Sequence, residues 1–475
     1  MYGLIVIGDD LSSHVAAAVA SQSGIKTALL AENGMGDISV TGDLAFHVDH
    51  TPLTGFGVNQ IGLLLLTELG ISLKADLLNP AYQIILPEKR IDFFNDKGDL
   101  IKEMTREFPE LAAKIKSFYD AVEKNSAAAA KWLYEHPMIQ PRSMKDYLDY
   151  LKLTPYLIKC AFDNLKLKQI MSQNASFTRV IEAQKALLSF RTNYRDSIFS
   201  HFQYGAPLRG AFRLAQGKQD FFDSLIKKIE LADGLYVNKC EVLSIKKGRI
   251  IEVTYNDKDG VPSKIEAGNL IVSTKWPNMH LIIERKKKLS WGDFIRPVKI
   301  SHYPFTIHMG INPKSIPEKM ATHVAVITDV NKDIYDDNLI ILLSGASDDG
   351  KNISSSKMPL SATVFLPNDP AIWSEENLSK TADSIIERLE YFLPFLKIES
   401  LDTEESINIS KKQREIVNPK YQLRNSLISG FAAKNNKTRF GNIYLTGASL
   451  LTDAGLEGEI ISGINAAARV TVKRK

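Results

Sequence analysis

The chain is poor in the residues that staple small folds or bind metals. Of its 475 residues only two are cysteines, Cys160 and Cys240, and neither sits in a CxxC or Cys/His arrangement. A disulfide framework, a zinc site and an iron–sulfur cluster are therefore not expected. Long apolar runs are missing too, since none approaches the ~20 residues that span a bilayer. The stretch 61–66 belongs to an amphipathic helix. The N-terminal run Leu4, Ile5, Val6 and Ile7 is too short for a signal peptide and has no basic start. Charge of one sign is scarce: 59 Lys and Arg oppose 55 Asp and Glu, a dispersed net charge of +4. That balance gives no footprint for nucleic acid. Internal repeats and low-complexity linkers are absent. The expectation is a soluble, reduced, cytoplasmic protein with room for more than one core.

What is present begins at the N-terminus. Leu4, Ile5, Val6 and Ile7 form an all-apolar run, the pattern of a strand buried on both faces of a parallel sheet. Gly8 ends it, and a helix follows through Val15 to Ala20 until Gly24 stops it. Thr27, Ala28, Leu29 and Leu30 make a second buried strand that ends near Glu32. Strand, tight turn, helix, strand and acid in this order are the βαβ unit that binds dinucleotides.

Residues 102–200 read as a helical insertion, with helices expected at 109–123, 126–134, 144–151 and 177–188. An amphipathic helix from Asp220 leads to strands at 235–237, 242–246 and 250–255, then to a buried strand at 270–273. Period-two alternation follows: Phe305, Ile307, Met309 and Ile311 take one face, and Thr306, His308 and Gly310 the other. With 324–330, 339–343 and 363–366 it predicts a second, antiparallel sheet. A helix with Leu378, Ala382, Ile385, Leu389 and Phe392 on one face closes that region. The end of the chain reads as a strand at 443–446, a glycine-containing loop, and a helix from about Glu457. The fold class is α/β: a Rossmann-like nucleotide domain from 1–75, 205–290 and 435–475, with an inserted α+β substrate domain from 76–204 and 291–434.

Four stretches make the chain resemble the phytoene desaturase and amine oxidase superfamily of FAD-dependent oxidoreductases, in its phytoene-desaturase-like branch. Val6-Ile7-Gly8-Asp9-Asp10-Leu11-Ser12-Ser13 is similar to the family's V-I-G-x-G-L-S-G loop. Phe108-Pro109-Glu110 with Phe118-Tyr119 resembles the segment that opens its substrate domain. Gln216-Gly217-Lys218-Gln219-Asp220-Phe221 stands at the start of the helix before its adenine-side strand. Tyr444 to Ser449, then Gly455-Leu456-Glu457-Gly458-Glu459-Ile460-Ile461-Ser462-Gly463, resembles its C-terminal flavin motif. The resemblance implies FAD, held by Gly8, Leu11, Ser12, Ser13, Glu32, Val242, Gly447, Ala448, Gly455, Leu456, Gly458 and Ile460. Glu32 would accept from the adenosine ribose, and the backbone of Val242 would meet adenine. Gly455 and Gly458 would let a helix N-terminus approach flavin or pyrophosphate.

The N-terminal loop departs from that pattern. Of the three glycines only Gly8 remains, and Asp10 and Ser13 stand for the others. Asp9 adds a second carboxylate, and two carboxylates beside a pyrophosphate would repel it by several kcal/mol at short range. No Lys or Arg occurs between Lys26 and Lys74, and Asn33-Gly34-Met35-Gly36-Asp37 stands where a glycine pair with a basic residue is usual. Asp9 and Asp10 also suit a helix-capping role.

No side-chain triad is visible, so the catalytic residues are unassigned. In such flavoproteins the cofactor carries the redox chemistry. His302 and His308 lie on or near a strand of the second sheet, as isolated core or surface histidines or as pocket residues. His47 and His50 flank Asp49 with no further close ligand, so no metal is expected. Arg285 to Lys288, followed by Leu289, Trp291 and Phe294, suits either a solvated loop or peripheral contact with an anionic membrane. Two functions fit. One is an FAD-dependent oxidoreductase of desaturase, saturase or amine oxidase type, acting on a small apolar or amine substrate. The other is a flavin-free protein of the same fold that binds an apolar ligand or a protein partner, with Asp9, Asp10 and Ser13 weighing against FAD.

Overall fold

The computed structural model describes residues 1–33, 38–41, 44–135, 148, 151, 159, 162, 163, 165–192, 200–215, 217–281, 298–345, 357–423, 436–438 and 440–471. Most of the helix expected at 144–151, the basic run 285–288 with Trp291 and Phe294, residues 34–37, Cys160 and Gln216 lie outside them.

The N-terminal run forms the strand Tyr2–Ile7, paired in parallel with Thr27–Ala31 on one side and Pro262–Ser273 on the other. Leu4 and Val6 point into one core and Ile5 and Ile7 into another, and all four are fully buried. That two-sided burial is why the segment is apolar throughout rather than alternating. Fully burying each such side chain contributes about 1.5–3 kcal/mol. The sheet continues from Thr27–Ala31 to Leu235–Asn238. The long strand Pro262–Ser273 pairs antiparallel with Ile251–Asn256 through its first half and parallel with Ile443–Thr446 through its second. One core holds the helices Leu11–Gln22, Lys218–Leu231 and Gly455–Thr471. The first and last of these pack closely: a Cβ at Gly463 would stand 2.5 Å from the Ser12 carbonyl oxygen.

The second sheet runs in the order Ile398–Leu401, Val298–Ile311, Met358–Pro367, Leu339–Ser344, His323–Ile327, Tyr82–Leu86, Lys89–Phe93. It is antiparallel except where Tyr82–Leu86 meets His323–Ile327. Phe305, Ile307, Met309 and Ile311 bury one face under the helix Glu375–Phe392. Thr306 and His308, on the other face, are also buried, against Thr363 and Ser361. The helices Lys97–Glu107, Ala112–Glu135 and Ala175–Leu188 belong to the core of Ile84, Ile91 and Phe93. The two helices expected at 109–123 and 126–134 are one, Ala112–Glu135. Asn125, between them, is buried and donates to Asp163 at 2.8 Å instead of turning the chain. The strand expected to reach 330 stops at Ile327, because the Asn338 side chain accepts from the Thr328 and Asp329 amides. No described helix is long and apolar enough to cross a membrane.

Candidate functional site

The parallel strands deliver Gly8, Glu32, Ser273 and Gly447 to one end of the first sheet, where open α/β sheets bind their ligands. Gly8 adopts a φ of +152°, and a Cβ there would stand 2.6 Å from the Ser273 Cβ and overlap the Ser13 hydroxyl. Only glycine fits that turn.

Asp10 caps the helix that follows. Its Oδ1 accepts from the Ser13 amide at 3.1 Å, the Ser12 hydroxyl at 3.1 Å and the Ser13 hydroxyl at 2.5 Å. Its Oδ2 accepts from the Ser273 hydroxyl at 2.6 Å. One carboxylate thus serves the helix N-terminus and ties it to the end of a neighbouring strand. Asp9 points elsewhere and accepts from the Asn33 amide at 3.0 Å. Burial pushes its carboxyl up to about 6, against the pull of the Asn33 hydrogen bond and of Lys275. Lys275 and Glu459 complete the cluster. Burial lowers the Lys275 ammonium while Asp10, Glu459 and Asp9 oppose that shift. Burial and the Asp10 charge raise Glu459, which is hydrogen-bonded to Asn418.

Just past the strand Thr27–Ala31, Glu32 turns inward. Its Oε1 accepts from the Val242 amide at 2.8 Å and its Oε2 from the Trp276 indole N–H at 2.7 Å. Burial raises its carboxyl. Beside it, Cys240 is buried with its thiol pushed up to about 12 by desolvation, which makes it inert at neutral pH.

The C-terminal loop is packed against backbone. Gly447 lies against Thr274, and its amide donates to the Ser462 hydroxyl at 3.0 Å. Gly455 has a φ of +55°, and a Cβ there would overlap the Leu188 carbonyl. At Gly458 a Cβ would stand 2.5 Å from the Leu451 carbonyl oxygen. Leu11, Ser12, Ser13, Ala448, Leu456 and Ile460 are all buried. Buried charges flank this loop in pairs: Arg191 with Asp453 at 3.0 Å, and Arg209 with Glu457 at 3.1 Å. Lys420 is buried with its ammonium on the Ala186 and Ser189 carbonyls at 2.6 and 2.7 Å, and burial brings its pKa down to about 7.

A cleft opens between the two sheet regions, with about 650 Å³ of atom-free space counted out into solvent at its mouth. Leu53, Leu78, Phe212, Leu214 and Leu343 give it apolar walls, and His47, Asp49, Arg213, Lys218 and His323 its polar groups. Asp49 and Lys218 form an ion pair at 2.6 Å. Burial pulls the Asp49 carboxyl upward, but Lys218 and His50 outweigh it and hold the group well below the usual range. Burial lowers His50 and His323 to about 3 each.

The structure brings Gly8, Ser12, Ser13 and Asp10 together with Ser273 and joins Glu32 to Val242. His302 and His308 have separate surroundings: one bonds the Ser301 hydroxyl beside Tyr335, the other Ser361 beside Phe46. Among the described residues no group of three or more His, Cys, Asp or Glu could hold a metal ion. Sequence reasoning missed Ser273, Lys275, Trp276 and Glu459. The signal for the first three was their place at and directly after the end of the buried strand Pro262–Ser273.

No family model and no curated protein matches the chain. Solved structures do. A putrescine oxidase double mutant with redesigned cofactor binding is 13% identical with a TM-score of 0.58, covering 99% of each chain. Cyclohexylamine oxidase from Brevibacterium oxydans is 12% identical at 0.57, over 100% of this chain and 99% of the other. An oxidoreductase from Methanosarcina mazei is 13% identical at 0.57, covering 100% of both. The chain shares the fold of these putrescine and cyclohexylamine oxidases.

Proposed function

We propose that this chain is a flavin-independent member of that fold, a small-molecule-binding protein whose dinucleotide cleft is filled by its own side chains. The observation that carries the reading is Asp10. A pyrophosphate at this turn would need the helix N-terminus that the Asp10 carboxylate already occupies through the Ser13 amide. It would also bring two further negative charges against Asp9 and Asp10, in a cluster whose one described cation, Lys275, is already shared between them and Glu459. At the adenosine end the Val242 amide and both Glu32 oxygens are engaged with each other and with Trp276. These residues do not fit FAD in the way the family resemblance implies. The cleft lined by Asp49, Lys218 and His323 is the place for a ligand.

The second reading is an FAD-dependent oxidoreductase acting on an amine or apolar substrate. The full-length likeness to putrescine oxidase and cyclohexylamine oxidase favours it. The absorbance spectrum of protein purified without added cofactor decides between them. We expect no flavin band near ~450 nm; a stoichiometric band that survives gel filtration would overturn the first reading.

A further inference from the structure

The cleft between the sheets is built asymmetrically in charge. Asp49 is the one acid among its described lining residues, and it is consumed by Lys218 at 2.6 Å. Arg213 also lines the cleft, is exposed, and adds a second cation. Asp76, which faces Arg213 across the short pairing of Asp76–Leu77 with Phe212–Arg213, is engaged by Lys74 at 3.0 Å. The described lining therefore carries one positive charge in excess. His323 lines the cleft as a polar ring, 7% exposed, with its Nδ1 closed off from solvent and without a hydrogen-bond partner among the described residues. Opposite these groups stand Leu53, Leu78, Phe212, Leu214 and Leu343.

From this arrangement we propose that the cleft binds a compact monocarboxylic acid, with its carboxylate between Arg213, Lys218 and His323 and its apolar body against the leucines and Phe212. The proposal rests on the reading of this cleft as the ligand site, and it names a ligand of opposite charge to the amines in the names of the structural neighbours. A neutral imidazole has one ring N–H to donate to a carboxylate, and Arg213 offers the paired donors that a carboxylate accepts. An ammonium would meet Arg213 and the Lys218 side of the pair, and among the described lining residues no acid outside that pair to receive it.

The test uses three molecules with one ring and different heads: cyclohexanecarboxylate, cyclohexylamine and cyclohexanol, titrated into the full chain by calorimetry at about pH 7. We expect the carboxylate to bind at least about tenfold more tightly than either of the others. Arg213→Glu, at an exposed position, is expected to abolish that preference or invert it towards the amine, and His323→Phe to weaken the carboxylate alone. Equal or tighter binding of the amine by the parent protein would overturn the proposal. So would an unchanged preference in Arg213→Glu, or no saturable carboxylate binding up to about 10 mM. Flavin content measured on the same samples separates the two claims. A yellow protein that prefers the carboxylate defeats the flavin-free reading alone, and a colourless one without the preference defeats this proposal alone.

Discussion

The two glycine-bearing turns of the first sheet are closed by different materials. At the N-terminal turn the filling is polar side chains: Asp10 occupies the helix N-terminus, and Asp9, Lys275 and Glu459 crowd around it. At the C-terminal turn the filling is main chain, with the Leu188 and Leu451 carbonyls against Gly455 and Gly458. The difference teaches which closure is reversible. A side-chain plug is removed by one or two substitutions that leave the backbone where it is. A backbone plug changes only if the loop moves, and the fold moves with it.

The largest effect is therefore expected at the C-terminal turn. Gly455→Val forces a β-branched residue into a positive φ and against a carbonyl. It should destabilise the protein by about 3–5 kcal/mol or prevent folding, read from urea denaturation. A loss below about 1 kcal/mol would mean that this loop yields as easily as a side chain. Next comes Asp10→Ala, which removes a helix cap and leaves Ser13 and Ser273 without their acceptor. A loss of about 2–3 kcal/mol is expected by the same method.

Asp9 gives a smaller effect with a sign of its own. Its carboxyl stands at about 6 in the folded protein against an ordinary 3.8, so the folded state holds a proton that the unfolded chain releases. Stability from this group is fully present below pH 3.8 and is lost as pH rises through about 6. Asp9→Asn should thus be more stable than the parent by about 1–2 kcal/mol at about pH 7, with the advantage vanishing near about pH 4. Denaturation midpoints of both proteins across that range check it, and a constant difference would mean that the Asp9 carboxyl is not the group that titrates. The smallest effect is expected at Glu32. Glu32→Gln keeps one acceptor for the Val242 amide but loses the one for Trp276. About 1 kcal/mol should be lost, together with a change in tryptophan fluorescence.

These contrasts also mark what the sequence discloses. The strand Tyr2–Ile7 is legible because burial on both faces leaves no polar position in its second half. The cap at Asp10 follows from residue type next to a helix, a local preference, whereas Asp9 beside it does something no local rule contains. The second sheet is legible at Phe305, Ile307, Met309 and Ile311, where period two coincides with burial. Glu32 meeting Val242 and Trp276 is hidden, because those partners lie far along the chain, and an acid after a strand looks the same whether it faces a ribose or an amide. The merging of two helices into Ala112–Glu135 is hidden for a similar reason. The gap between 123 and 126 closes into one helix in which Asn125 is buried and bonded to Asp163, a partner far along the chain.

The central claim is that acidic side chains, not the backbone, exclude the pyrophosphate from the N-terminal turn. Titration of FAD into the parent chain and into the triple variant Asp9→Ala, Asp10→Gly, Ser13→Gly tests it most directly, with flavin fluorescence as the readout. Removing two carboxylates at ~4–6 Å from a pyrophosphate contributes roughly 2–4 kcal/mol, or about 30- to 800-fold in affinity. The parent should show no saturable binding at about 50 μM FAD, and the variant should bind distinctly more tightly. Submicromolar binding by the parent, or weaker binding by the variant, would contradict the account and mark the loop as one adapted to hold the cofactor.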